Sequence, residues 1–271
     1  MHNTAYSLLG LECTYDSFDV SPETLAESMR DFADNGFCGL NVTIPHKESV
    51  AKQMHELSDE SKAVGAANTI LFEGDRLRGE NTDVYGVAAS LEPYRNELNG
   101  EKVLLLGAGG TSRAIVYALL TRFSPAEIII ANRNEARAEE LVKHFLPHAH
   151  GIALKASPAD QATLSQLATD ARLIVNATSI GMSPAMDESP IGEWAQFHSE
   201  QIVFDLIYTP LATKLLTIAG RDGARTISGL EMFLHQGARS FELWLGKTMP
   251  VDQIRPVIEN ELKNRQQNHI L

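Results

Sequence analysis

The chain has 271 residues, two ordinary domains' worth, and each domain is long enough to bury its own core. Its formal net charge of −12 argues against nucleic acid or an anionic membrane as a partner, so any phosphate contact must come from a local basic cluster. No apolar run approaches the roughly 20 residues of a membrane helix, and Met1-His-Asn-Thr-Ala-Tyr lacks the basic and hydrophobic regions of a signal peptide. Cys13 and Cys38 lie in apolar, strand-like surroundings, which predicts small buried thiols rather than a disulfide and fits a reducing cytoplasm.

In chain order, residues 12–20 read as a strand. Ser21-Pro22 then starts a helix whose Leu25, Met29, Phe32 and Ala33 share one face before Gly36 ends it. Residues 37–43 form the next predicted strand, followed by a helical region over 47–64. A strand over 68–72, a turn at Glu73-Gly74-Asp75 and a return strand ending near Gly79 complete a first α/β unit. A helix from Val84 leads onward. Strands near 103–106, 127–132, 151–155, 172–176, 202–206 and 225–227 alternate with helical segments, the pattern of a doubly wound parallel sheet. Residues 230–245 and 251–267 lack following strands and read as helices. The expected division is a substrate domain over 1–84, to which 229–271 return, and a dinucleotide-binding Rossmann-like domain over 85–228. There is no internal repeat and no low-complexity tract.

The strongest local signal is Val103-Leu-Leu-Leu-Gly107-Ala-Gly109-Gly110-Thr-Ser-Arg113-Ala114. A pyrophosphate needs close backbone approach and unpaired helix N–H groups. Gly107, Gly109 and Gly110 supply both where a buried strand meets a helix. The next strand ends in Asn132-Arg133-Asn134-Glu-Ala-Arg137, where an acidic residue would take the ribose 2′-hydroxyl of NAD. Arg133 and Arg137 instead suit a 2′-phosphate by charge and planar geometry, so the expected cofactor is NADP. The competing reading is a solvated basic pair beside Glu135, Glu139 and Glu140, which the glycine turn disfavours.

In the first unit, Asn41-Val-Thr43-Ile-Pro45-His46-Lys47 sets a hydroxyl and a lysine just beyond a buried strand, where Pro45 turns the chain. Asn81-Thr82-Asp83 falls at the predicted domain boundary, and its carboxylate could meet Lys47. Reduction of a ketone by hydride needs one proton delivered to oxygen, which a lysine held by an aspartate can supply. Spacing alone equally allows a helix-capping Asp83 and a surface Lys47. None of the nine histidines has the spacing of a zinc site, so no metal is expected.

Several stretches jointly resemble the shikimate dehydrogenase family: 41–47 (Asn-Val-Thr-Ile-Pro-His-Lys), 65–69 (Gly-Ala-Ala-Asn-Thr), 79–83 (Gly-Glu-Asn-Thr-Asp), 107–110, Asn132-Arg133, 176–182 (Asn-Ala-Thr-Ser-Ile-Gly-Met), 205–210 (Asp-Leu-Ile-Tyr-Thr-Pro) and 229–236 (Gly-Leu-Glu-Met-Phe-Leu-His-Gln). They run through nearly the whole chain in the family's order. The resemblance implies that Lys47 and Asp83 are the catalytic pair and that Thr43, Asn68, Asp83, Tyr208 and Gln236 bind substrate. It assigns Gly107, Ala108, Gly109, Gly110, Thr111, Asn132, Arg133, Arg137, Thr178, Met182 and Gly229 to NADP. The implied reaction is the reversible, NADP-dependent reduction of 3-dehydroshikimate to shikimate in aromatic amino-acid biosynthesis. The implied partners are a small-molecule substrate and, at most, a second copy in a homodimer, in the cytoplasm.

One departure stands out. The family begins with a glycine-containing strand and a turn carrying two serines that hold the substrate carboxylate, whereas Met1 to Tyr6 here correspond to the helix after that turn. The expectation is a truncated or misassigned start. Smaller departures are Val84 in place of glycine and Asn134 in place of threonine. Three other readings remain: a quinate/shikimate dehydrogenase using NAD, a non-catalytic NADP-binding module motivated by the missing serines, and a dehydrogenase of another small carbonyl compound.

Overall fold

The computed structural model describes residues 1–268, so residues 269–271 of the expected C-terminal segment lie outside the described residues. The chain forms two compact units, Met1–Gly86 with Leu234–Pro256, and Val87–Phe233 with the segment from Val257. The predicted boundaries were 84/85 and 228/229, and the stretch from Val257 groups with the second unit rather than the first. Within the last helix, Val251–Asn268, fully buried Ile254 and buried Leu262 fall on opposite sides of that division.

The first unit holds a four-stranded sheet in the order β1 (Gly39–Asn41), β3 (Thr69–Glu73), β4 (Arg76–Glu80), β2 (Glu56–Leu57). β3 is antiparallel to both neighbours, while the short β2 runs parallel to β4. α1 (His2–Leu8), α2 (Leu25–Asp34), α3 (Lys47–Ala51) and α4 (Asp59–Val64) accompany it. Leu25 and Met29 of α2, Val50 and Ala51 of α3, Ala67 and Ile70 make one buried cluster. That packing, more than the propensity of so short a helix as α3, keeps the start of α3 in place.

Three sequence expectations fail in this unit. Residues 12–20 form no strand: the backbone N–H and C=O of Tyr15 are taken by the Asn3 side chain, at 2.7 and 2.9 Å, instead of by a ladder. The helix predicted over 47–64 is two helices separated by β2, because the backbone at 55–58 pairs with β4, with His55 N–H donating to the Leu77 carbonyl at 2.9 Å. Cys13 and Cys38 are free, as predicted, but exposed. Apolar neighbours in sequence do not decide which side of an extended segment faces the core.

The second unit is a six-stranded parallel sheet. Its order is β10 (Arg225–Ser228), β9 (Ile202–Asp205), β8 (Leu173–Asn176), β5 (Lys102–Leu106), β6 (Glu127–Asn132), β7 (Ala153–Pro158). Every residue of β8 and β9 is buried, as expected of parallel strands covered on both faces. Leu104, Leu106, Ile174 and Val203 pack with Leu164 and Ala168 of α8 (Gln161–Asp170) and Leu215 and Ile218 of α9 (Lys214–Arg221). The chain order reverses on either side of β5, so the turn after β5 sits at the switch point where doubly wound sheets bind ligands. At the opposite end, Arg225 grips Glu97 through two bonds of 2.7 and 2.6 Å and Arg172 adds another, holding the Glu97 carboxyl at about 2.

Candidate active site

In the first unit the chain leaves β1 and turns at once, with His46 N–H donating to the Thr43 carbonyl at 3.0 Å around Pro45. Lys47 is thereby the first residue of α3, and its carbonyl accepts the Ala67 N–H at 3.0 Å. Its Nζ donates to Asp83 Oδ2 at 2.6 Å, with side-chain exposures of 25% and 10%. Asp83 lies in the first turn of α5 (Thr82–Leu91). Its second oxygen, Oδ1, accepts from Asn68 Nδ2 at 2.9 Å. Both carboxylate oxygens are therefore engaged in a largely buried place, where an ion pair persists only if its remaining lone pairs are satisfied.

Asn68 is fixed from both sides. Its N–H donates to the Glu80 carbonyl at 3.0 Å, its carbonyl accepts from Val42 N–H at 2.8 Å, and its Oδ1 accepts from Thr82 N–H at 2.7 Å. Gln236 joins through Thr82, whose hydroxyl donates to Oε1 at 3.5 Å. The structure thus brings Lys47 and Asn68 each into contact with Asp83 and links Gln236 to Asn68 through Thr82. Thr43 is exposed, four residues before Lys47, and its side chain makes no hydrogen bond among the described residues. His46 is committed elsewhere, with Nε2 2.8 Å from the Val20 carbonyl. The lysine spends one donor on Asp83 and keeps others for a substrate oxygen, so the group can deliver or accept a proton there.

In the second unit the turn after β5 has the form a pyrophosphate requires. Gly107 has φ +103°, and a Cβ there would come within 3.0 Å of Thr178 Cγ2 and 3.2 Å of the Ala177 backbone. Glycine is therefore demanded both by conformation and by the closeness of the loop that leaves β8. Gly109 and Gly110 are exposed with nothing within 4 Å of a Cβ position, leaving the N-terminus of α6 (Gly110–Arg122) open to a ligand; Ala108 and Thr111 flank them half-buried. Ser112 braces the turn, donating to the Gly107 carbonyl at 2.9 Å and accepting from Gly109 N–H at 3.1 Å.

At the end of β6, Asn132 Nδ2 donates to the Asn134 carbonyl at 2.8 Å. Arg133 and Arg137 are exposed and have no ion-pair partner among the described residues. Thr178 N–H and Oγ1 both donate to Asn176 Oδ1, at 3.0 and 2.7 Å. Met182 follows with nearly half its surface exposed. Tyr208 packs on Phe233 with ring centroids 5.0 Å apart. Gly229 opens α10 (Gly229–Leu245), and a Cβ there would run into the Leu206 carbonyl.

Sequence reasoning passed over several residues that shape these groups: Asn41, Thr69, Thr82 and Ser240 in the first unit, Ser112, Asn176 and Asp205 in the second. Asn176 Nδ2 donates to Asp205 Oδ1 at 3.0 Å and Thr213 Oγ1 donates to Oδ2 at 2.6 Å; burial nonetheless pushes the Asp205 carboxyl above its ordinary range. Asn176, Asp205 and Thr82 all lie inside the family-like stretches. Their signal was position in a motif, without any chemical reason to separate them from their neighbours.

Three family descriptions match: the shikimate dehydrogenase substrate-binding domain over residues 1–70, shikimate/quinate 5-dehydrogenase over 90–206, and the shikimate 5′-dehydrogenase C-terminal domain over 229–259. The shikimate dehydrogenase (NADP(+)) of Methanopyrus kandleri is 41% identical over 264 residues, which span 97% of this chain and 90% of that protein. The enzyme of the same name from Chlorobaculum tepidum is 36% identical, over 95% and 89%. Among solved structures, shikimate 5-dehydrogenase from Listeria monocytogenes, in complex with shikimate and NAD, superposes with a TM-score of 0.85 at 32% identity, over 95% of this chain and 90% of that one. Quinate dehydrogenase from Corynebacterium glutamicum, in complex with NAD, gives 0.86 at 27% identity, over 95% and 92%. With identity of this level over nearly its whole length, and a parallel sheet and glycine turn to match, the chain belongs to the shikimate dehydrogenase family.

Proposed function

We propose that this protein catalyses the reversible, NADP-dependent interconversion of 3-dehydroshikimate and shikimate, with Lys47 as its acid–base group. The contact of Lys47 with an Asp83 held from its other side by Asn68 carries the reading of the site. The curated NADP-dependent relatives carry the reading of the reaction.

When bound, the nicotinamide supplies or removes the hydride at the ring carbon. In the reducing direction Lys47 gives a proton to the oxygen of the former carbonyl, so that one hydride and one proton make the alcohol; in the oxidising direction it takes that proton back. Asp83 keeps the ammonium in place. Asn68 fixes the Asp83 carboxylate and, with Thr43 and Gln236, supplies polar contacts to the substrate's carboxylate side and ring hydroxyls, which a polyol needs for a single orientation; Tyr208 is taken as a further substrate-binding residue. The open turn from Gly107 through Thr111 suits the pyrophosphate, and Asn132, Arg133 and Arg137 suit the adenosine 2′-phosphate. We assign Thr178 and Met182 to the nicotinamide side and Gly229 to the cofactor. We take the cytoplasm as the compartment; no helix among the described residues is long and apolar enough to cross a membrane.

The test is a comparison of kcat/KM for shikimate and quinate with NADP and NAD. The reading expects shikimate with NADP to lead by about tenfold or more, the value of one charge-assisted contact to phosphate. A lead for quinate with NAD, or tight NADP binding without turnover of either substrate, would overturn it.

A further inference from the structure

Behind the contact of Lys47 with Asp83 lies a cluster of three buried hydroxyls that no catalytic role yet uses. Ser240 Oγ is 2.8 Å from Thr69 Oγ1 and 3.2 Å from Thr82 Oγ1, and those two are 3.2 Å from each other. All three residues are buried. Asn41 Nδ2 donates to both Ser240 Oγ and Thr69 Oγ1 at 3.0 Å. On one side the cluster reaches Gln236, whose backbone carbonyl accepts from Ser240 at 3.1 Å and whose Oε1 accepts from Thr82. On the other it reaches Asn68, through Thr82 Oγ1 at 3.1 Å from Nδ2 and Thr69 Oγ1 at 3.3 Å from Oδ1.

We infer that Ser240 and Thr82 are positioning residues for the reaction, their hydroxyls locking the side chains of Asn68 and Gln236 into the rotamers that hold Asp83 and the substrate. A side-chain amide has two nearly equivalent flip states, and only its partners choose between them. Asn68 must present Nδ2 to Asp83; the Asp83 carboxylate, which only accepts, and the Thr82 N–H, which only donates, make the flipped state unfavourable, while the Thr82 hydroxyl, 3.1 Å from Nδ2 and 3.2 Å from Oδ1, and the Thr69 hydroxyl hold the amide in that position. Gln236 has a longer side chain with more rotatable bonds, and the Thr82 hydroxyl is one of the contacts that orient it. Ser240 contributes a hydroxyl that touches both threonines and the helix carrying Gln236.

The inference rests on the acid–base reading of Lys47 and Asp83, and its test separates the two. Ser240→Ala and Thr82→Val should each raise KM for shikimate by about 3–10-fold, the worth of one buried hydrogen bond, and leave KM for NADP unchanged. Because the two hydroxyls act in one network, the double variant should lose less than the product of the single losses. Thr82→Ser, which restores the hydroxyl, should recover the wild-type KM. Unchanged shikimate constants in folded Ser240→Ala and Thr82→Val proteins, with only the melting temperature lowered, would overturn the inference. If Ser240→Ala does not fold, the contrast between Thr82→Val and Thr82→Ser decides alone, with equal shikimate KM values overturning it. Lys47→Ala in the same assay reports on the acid–base reading independently: retained turnover there overturns that reading whatever Ser240 does.

Discussion

Asn68 and Lys47 grip the two oxygens of one carboxylate, the amide nitrogen 2.9 Å from Asp83 Oδ1 and the ammonium 2.6 Å from Oδ2. An aspartate held in this way cannot swing toward solvent without breaking two bonds. The lysine consequently keeps one direction, along which a proton can pass to or from a bound oxygen.

The cofactor assignment leads to Arg133. Removing a guanidinium that pairs with a 2′-phosphate should cost NADP about 10–100-fold in KM, the range for hydrogen bonds to charged groups, and leave NAD almost untouched. The ratio of kcat/KM for NADP to that for NAD, measured on Arg133→Ala, checks this. An unchanged ratio would contradict the assignment.

Gly229 offers a test of packing rather than chemistry. A Cβ at this position would overlap the Leu206 carbonyl, and both partners are backbone, so no side chain can move aside. Gly229→Ala should therefore lose about 3 kcal/mol or more of stability, the upper range for overpacking. Urea unfolding measures it, and a loss within about 0.5 kcal/mol, the size of ordinary surface effects, would contradict the close approach.

His2 makes stability depend on pH. It is 5% exposed, stacks on Tyr15 with ring centroids 4.3 Å apart, and burial pushes its imidazole down to about 4 from the ordinary 6.5. Between those two values the unfolded chain binds a proton that the folded one refuses. Its contribution is thus intact above about 6.5 and is lost as pH falls toward 4. Melting temperatures at pH 7 and pH 4.5 should fall less for His2→Phe than for the parent protein, and equal falls would contradict the account.

The parallel sheet and its glycine turn were legible in the sequence because their causes are local. Buried strands read as unbroken runs such as Val103 to Leu106, and only glycine tolerates the +103° of Gly107 beside Thr178. Arg133 and Arg137 stand exposed just beyond β6, which is all that their place in the sequence and the strand before them establish. Pairing decided what was not legible. Residues 55–58 join a sheet through β4, more than twenty positions later, and break a helix that their periodicity supports. Residues 12–20 have strand-like composition, yet Asn3 takes the backbone groups of Tyr15. The hydroxyl cluster was hidden for the same reason, since Thr69 and Ser240 stand 171 positions apart and nothing in either neighbourhood marks them as partners.

The most direct measurement is the rate of NADP reduction by shikimate, followed by nicotinamide absorbance, for the protein and its Lys47→Ala variant side by side. The account predicts clear turnover by the protein and a loss of roughly 10²–10⁴-fold in kcat for the variant, with KM for NADP unchanged, as for removal of a general acid–base group. Near-equal rates, or a protein that binds NADP and does not oxidise shikimate at all, would contradict it.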